Sequence, residues 1–150
     1  PLPRGAGSSL MTIDFDGAKL ALIHRNAVVT ILRDDREGIP HPGMWDFAGG
    51  GREGVERPEE TAIRETQEEL GLRFAEDRLL WSCREDREDS SEVWFFAAEI
   101  TESELTTIRL GDEGQCWRLM PTPQFLSNPM AIPSLKRRLR HFLTWRDQNR

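Results

Sequence analysis

The chain has 150 residues, 37% of them hydrophobic and 31% charged, with a formal net charge of −6. That size and balance suit one domain with a substantial core. The acidic excess argues against the counterion-releasing surface of a general polynucleotide binder, so no polymeric nucleic acid is expected as a partner. No apolar run is long enough for a membrane helix, so no membrane is expected either. Residues 1–12 read as a flexible tail without the apolar stretch of a signal peptide, ahead of a single domain at 13–147. Cys83 and Cys116 match neither a zinc nor a redox spacing and read as free, half-buried thiols of a cytoplasmic protein.

In chain order, Ala18–His24 is apolar with partial alternation and predicts a strand, Arg25-Asn26 a tight turn, and Ala27–Leu32 the β-branched returning strand. Arg33–Pro42 turns to charge, Gly and Pro, and reads as a loop. Met44–Phe47 predicts a short strand running into Gly49–Gly51. Pro58 at a first helical position, Glu59 and Glu60 at the positive end of the dipole, and Gly71 as a left-handed stop bound a helix. Leu79–Arg84 and Glu92–Ile100 read as strands joined by the charged loop Glu85–Ser91. Thr101-Glu102-Ser103-Glu104 is a capping box opening a short helix. Gln115–Leu119 reads as a strand, and Pro133 opens a last helix with an apolar stripe of Leu135, Leu139, Phe142 and Leu143. The basic run Lys136–Arg140 is then the solvated side of that helix rather than a nucleic-acid site. Trp81, Trp94 and Trp117 read as core residues; His24, His41 and His141, which share no metal-ligand spacing, read as structural. The mixture predicts an α/β fold, a mixed sheet sandwiched between helices.

The chemistry is concentrated in the predicted helix. At 100° per residue, Ala62, Ile63, Thr66 and Leu70 fall in an arc of about 100°, the face that packs on the sheet. Glu65, Glu68 and Glu69 fall in an adjoining arc. Like charges at such spacings repel by a few tenths of a kcal/mol per pair, more where water is scarce. A divalent cation removes that penalty, because hard Mg²⁺ prefers carboxylate oxygens and keeps waters and phosphates as its other ligands. Glu56, just before the helix, is within reach of the same cluster. The glycine run lets backbone N–H groups approach an anion. These features together suggest metal-assisted attack of water on a phosphoanhydride.

Gly50-Gly51-Arg52-Glu53-Gly54-Val55-Glu56 followed by Arg64-Glu65-Thr66-Gln67-Glu68-Glu69-Leu70-Gly71-Leu72 resembles the Nudix box, G-x5-E-x7-R-E-U-x-E-E-x-G-U with U a bulky apolar residue. Gly50, Glu56, Arg64, Glu65, Glu68, Glu69, Gly71 and Leu72 are in register. The departures are Thr66, where U is expected, and Ala48, where many relatives place Pro. Trp45–Gly50 is similar to the approach to the box in MutT-type members, and Gly111–Gln115 to a MutT loop whose glutamate lies near the metals.

The resemblance implies a Nudix fold and a Mg²⁺-dependent hydrolase, with Mn²⁺ an alternative metal. It implies that Arg64 orients the glutamates, that Glu65, Glu68 and Glu69 bind metal and help activate water, and that Glu56 and Gly49 join the metal set. Glu113 is an outlying base or ligand, and Arg33 a contact to substrate phosphate. Markers of several other subgroups are absent: Glu85–Ser91 has no Pro, and the chain has no Tyr. What remains is a (deoxy)nucleoside triphosphate pyrophosphohydrolase releasing NMP and pyrophosphate. The asparagine that MutT uses near its last helix maps to Ala131, which argues against oxidised dGTP. Other readings stay open: a Nudix-fold module that binds nucleotide without cleaving it, a hydrolase of sugar nucleotides or dinucleotides, and an isoprenoid diphosphate isomerase. The expected partner is a small nucleotide diphosphate compound; a homodimer is left open.

Overall fold

Leu20, Ala21, Leu22 and Ile23 are all 1% exposed or less, and a strand buried on both faces must lie inside a sheet with cover on each side. That strand is β1 (Gly17–His24) in a computed structural model that describes residues 14–87 and 91–150. The expected tail at residues 1–12 lies outside the described residues, as does the middle of the loop expected at 85–91. β1 pairs in parallel with β6 (Glu92–Glu99), and β6 antiparallel with β5 (Leu79–Asp86), which forms one edge. On the other side Arg25, at φ 57°, turns the chain into β2 (Ala27–Leu32). β7 (Cys116–Pro121) runs antiparallel along the whole of β2 and forms the second edge.

β1 and β2 are paired only near their turn, at Ile23–Val28 and His24–Ala27. Beyond it they splay apart, and the segment expected as one short strand fills the gap as two. β3 (Trp45–Asp46) pairs with Leu32 and Ile31, whereas β4 (Ala48–Gly51) pairs with Gly17–Leu20. The crossing point is Phe47, 1% exposed, whose ring stacks on Phe125 at 4.7 Å and tilts against Phe95 at 6.1 Å. Its amide donates to Asp46 Oδ1 at 2.7 Å, so the donor freed by the crossing is satisfied locally.

α1 (Pro58–Leu70) covers one face of the sheet, with Ala62, Thr66 and Leu70 against Leu20, Leu22, Val29, Ile31 and Phe96. Ile63, expected on the same stripe, is half-buried at its margin. Thr66 fits a fully buried position because its hydroxyl donates to Ala62 O at 2.8 Å, one turn back. The expected stop is present: Gly71 takes φ 72°. α2 (Glu102–Leu105) opens on the expected Thr101/Glu104 capping box. α4 (Pro133–Gln148) covers the opposite face through Leu135, Leu139 and Phe142, packed on Ala21, Ile23, Val28, Phe47 and Phe95; Leu143 lies at the border of this cluster.

Some expectations are corrected. α3 (Thr122–Ser127) was not anticipated; six residues are too few for a periodic signal, and fully buried Phe125 anchors it. β5 runs to Asp86, two residues into the expected loop. Arg138 is not on the solvated side of the last helix: it is 7% exposed and ion-paired with Glu85 at 2.5 Å, which extends the strand far enough for α4 to hold it. The three tryptophans expected in the core are only half-buried, along its margins. Cys83 and Cys116 are free and half-buried, as expected; burial pushes the Cys83 thiol up to about 11. His24 Nδ1 lies 3.0 Å from Ile100 O and His141 packs edge-on against Trp81, both structural contacts.

Candidate active site

The first two turns of α1 and the loop before it put Arg64 among acids. Its Nε donates to Glu56 Oε2 at 2.7 Å, its Nη1 to Glu65 Oε2 at 2.7 Å and to Glu68 Oε2 at 3.2 Å, and its Nη2 to Gly51 O at 2.8 Å. Glu53 lies within 3.5 Å of the same guanidinium. Glu56 is also held by the Thr61 hydroxyl and the Glu53 amide, each at 2.9 Å. The hydrogen bonds from Arg64 take the Glu56 carboxyl down to about 2. The same bonds raise Arg64 further above its ordinary value. Among the described residues, then, the crowding expected of Glu65 and Glu68 is relieved by an internal cation, whereas Glu69 lies apart from it.

Glu65 lies against Gly50: a Cβ there would come 2.5 Å from Glu65 Oε1, so a side chain at this position would push the carboxylate aside. Glu68 is the outermost of the set, its side chain 57% exposed. Glu69 turns the other way, under the glycine loop, and accepts from the Gly49 amide at 3.0 Å. Burial raises Glu69 to about 8, against the pull of Lys19 and that amide. The close N–H approach expected of the glycine run is therefore made, with Glu69 as the anion.

Next to Gly49 lies an ionic group of which sequence reasoning named Arg33 but missed Lys19 and Asp46. Lys19 Nζ donates to Asp46 Oδ2 at 2.9 Å and, more weakly, to Phe47 O at 3.4 Å and Gly49 O at 3.5 Å. Arg33 Nη1 donates to the same Asp46 oxygen at 3.0 Å, and its Nε to Pro40 O at 2.8 Å. The Asp46 side chain is 5% exposed, so two cations share one buried carboxylate and a positive charge is left over. The signals were present but weak: Lys19 is a lone charge in an apolar strand, and Asp46 stands between two aromatics.

Lys19, Arg33 and Asp46 line a cleft of about 560 Å³ that also reaches Gly50, Gly51 and the amino-terminal turns of α4. A neighbouring hollow of about 150 Å³ shares Arg33, Pro40 and Asp46 and is also lined by Glu69 and Glu113. The fold thus brings Glu113 to the same hollow as Glu69, although Glu113 itself is exposed. Glu56, Glu65 and Glu68 gather at Arg64, while Glu69 and Gly49 form a separate contact behind them. Among the described residues no three His, Cys, Asp or Glu side chains already form a metal cage. The donors are nonetheless hard carboxylate oxygens, the chemistry that suits Mg²⁺ or Mn²⁺.

The family model described as NUDIX domain matches residues 9–145. The chain belongs to this family. Over 46 residues it is 48% identical to the nucleoside triphosphatase NudI of Klebsiella pneumoniae (strain 342), a match covering 30% of the chain and 33% of that relative. Over 65 residues it is 37% identical to the 8-oxo-dGTP diphosphatase of Proteus vulgaris, covering 43% of the chain and 58% of that protein. The chain therefore spans less than two thirds of the length of either relative. Among solved structures, the MutT protein from Methanosarcina mazei Go1 superposes with a TM-score of 0.66 at 14% identity, covering 92% of this NUDIX chain and 99% of the other. That likeness is one of fold. No described helix is long and apolar enough to cross a membrane.

Proposed function

We propose that this NUDIX protein is a divalent-metal-dependent pyrophosphohydrolase that cleaves (deoxy)nucleoside triphosphates to NMP and pyrophosphate. The observation that carries the reading is the gathering of three box glutamates at Arg64 on one side of a glycine loop, with Glu69 under that loop and a cationic cleft on its other side. Glu56, Glu65, Glu68 and Glu69 are the residues that would hold the metal, and a bound Mg²⁺ or Mn²⁺ supplies neutralisation of the charge that develops on the phosphoryl oxygens. The remaining work falls to the chain itself. Lys19 and Arg33 face the cleft with a net positive charge and attract the polyphosphate. Arg64 holds Glu56, Glu65 and Glu68 in one orientation. A carboxylate of this set takes a proton from water as its oxygen bonds to phosphorus, and the P–O bond to the leaving pyrophosphate breaks with its electron pair. The names of the two relatives support a triphosphate as substrate.

The test is a screen of nucleoside triphosphates, sugar nucleotides and dinucleotides with Mg²⁺ and with EDTA. Mg²⁺-dependent pyrophosphate release from triphosphates is the expected result. Turnover confined to another group would replace the substrate class, and tight nucleotide binding without any cleavage would replace hydrolysis by simple recognition.

A further inference from the structure

The cleft has a second cationic end, which the hydrolytic reading does not use. Arg137 and Arg138 of α4 line it together with Arg87, just past β5. Arg138 is more than nine-tenths buried, at 7% exposure, and among the described residues is fastened by one nitrogen, Nε to Glu85 Oε1 at 2.5 Å. Arg137 grips the same carboxylate through Nη2 at 2.9 Å and Nε at 3.3 Å. The two terminal nitrogens of Arg138 donate to no group among the described residues, although this buried residue borders the cleft. A guanidinium fork at the cleft wall with both terminal nitrogens uncommitted suits a bidentate oxyanion. Arg87, Arg137 and Arg138 line this end with Asp16 and Asp86, and Glu85 is already paired to Arg137 and Arg138, so what an incoming anion would meet is the unbonded fork of Arg138.

The register places this end relative to the glycine loop. Gly51 pairs with Gly17, Gly17 with Val93, and Val93 with Glu85. Three strand spacings of about 4.8 Å put roughly 14 Å between the Gly51 and Glu85 backbones. Val93, Ile132 and Leu135, also on the cleft wall, supply apolar surface. A ligand anionic at both ends with a less polar body between them matches that layout. We propose that Arg138, with Arg137, seats a second anionic group of the substrate, a phosphomonoester on the sugar of the nucleotide, remote from the phosphoanhydride that is cleaved. This rests on the hydrolytic reading for the other end of the cleft and narrows its substrate to nucleotides phosphorylated at two positions.

The seat is tested by calorimetric titration of the whole protein with nucleoside 3′,5′-bisphosphates of the four common bases against the matching 5′-monophosphates. For at least one base the bisphosphate is expected to bind about tenfold more tightly or better, the scale of a charge-assisted pair. In Arg138→Gln that ratio is expected to fall below about threefold, with folding checked by thermal denaturation. Arg137→Gln, on the exposed side of the same pair, is expected to reduce the ratio as well and serves if Arg138→Gln does not fold. Equal affinities in the wild type, or a preference that survives both substitutions, would overturn the seat. The two readings fail separately: no Mg²⁺-dependent cleavage with a clear bisphosphate preference removes hydrolysis and keeps the seat. Cleavage without that preference does the reverse.

Discussion

At the scale of single residues the site depends on close contacts between its glycines and its carboxylates. At Gly50 a methyl group would meet the Glu65 carboxylate at 2.5 Å and displace it. Gly50→Ala is expected to lower kcat by about 100-fold, the cost of displacing a catalytic group by around an ångström, with a far smaller loss of stability. Steady-state kinetics beside a melting curve separates the two. Glu68 is the most exposed of the helix glutamates. Glu68→Gln is therefore expected to remove turnover by about 100-fold or more while leaving the melting temperature nearly unchanged. Near-normal rates in that variant would take Glu68 out of the machinery. Lys19→Met tests the other side of the loop. Asp46 would keep Arg33 as a partner, so folding is expected to persist while KM for the triphosphate rises severalfold; an unchanged KM would reduce Lys19 to a structural ion pair.

Among elements, α1 and α4 do different work on opposite faces. α1 carries chemistry on its free flank and buries Ala62, Thr66 and Leu70 against the sheet, with Ile63 at the margin, all small or medium side chains. α4 carries the larger packing, with Leu135, Leu139 and Phe142 each 1% exposed or less. Leu139→Ala is expected to cost about 3 kcal/mol and to lower the melting temperature by about 10 °C, measured by calorimetry. α1 was legible in outline from its proline start, glycine stop and apolar arc, because those signals are local. α3 was not legible: its stability comes from Phe125 stacking on Phe47, a residue far away in the chain. The split of the strand at Phe47 was hidden for the same reason, since which neighbour a strand pairs with depends on where β1 and β2 part.

Taken as a whole, the molecule has acids displaced in opposite directions, and this shapes its pH dependence. Glu104, bonded by Arg78 at the start of α2, and Glu56, bonded by Arg64, are both held near 2 instead of about 4.5. A lowered carboxyl contributes stability that is present above its unfolded value and lost as pH falls toward its folded one. Glu69 is raised to about 8, so its contribution is present below about 4.5 and lost as pH rises through 8. Denaturation midpoints in EDTA buffer are therefore expected to peak near pH 5 and fall on both sides. Glu69→Gln is expected to flatten the alkaline limb; an unchanged limb would mean that Glu69 is not the group responsible.

Most of the strands, helices α1, α2 and α4 with their start and stop signals, and the candidacy of the box glutamates were readable from residue order alone, because they depend on periodicity and on spacing within one helix or turn. The tertiary structure decided which carboxylates share Arg64 and which one turns to Gly49. It also decided that Lys19, Arg33 and Asp46 form one ionic group, and that Arg138 is drawn inward by Glu85. Each of these contacts joins residues from different elements, and their strength depends on burial and on the splay of two strands, neither of which is written in the local pattern of the chain.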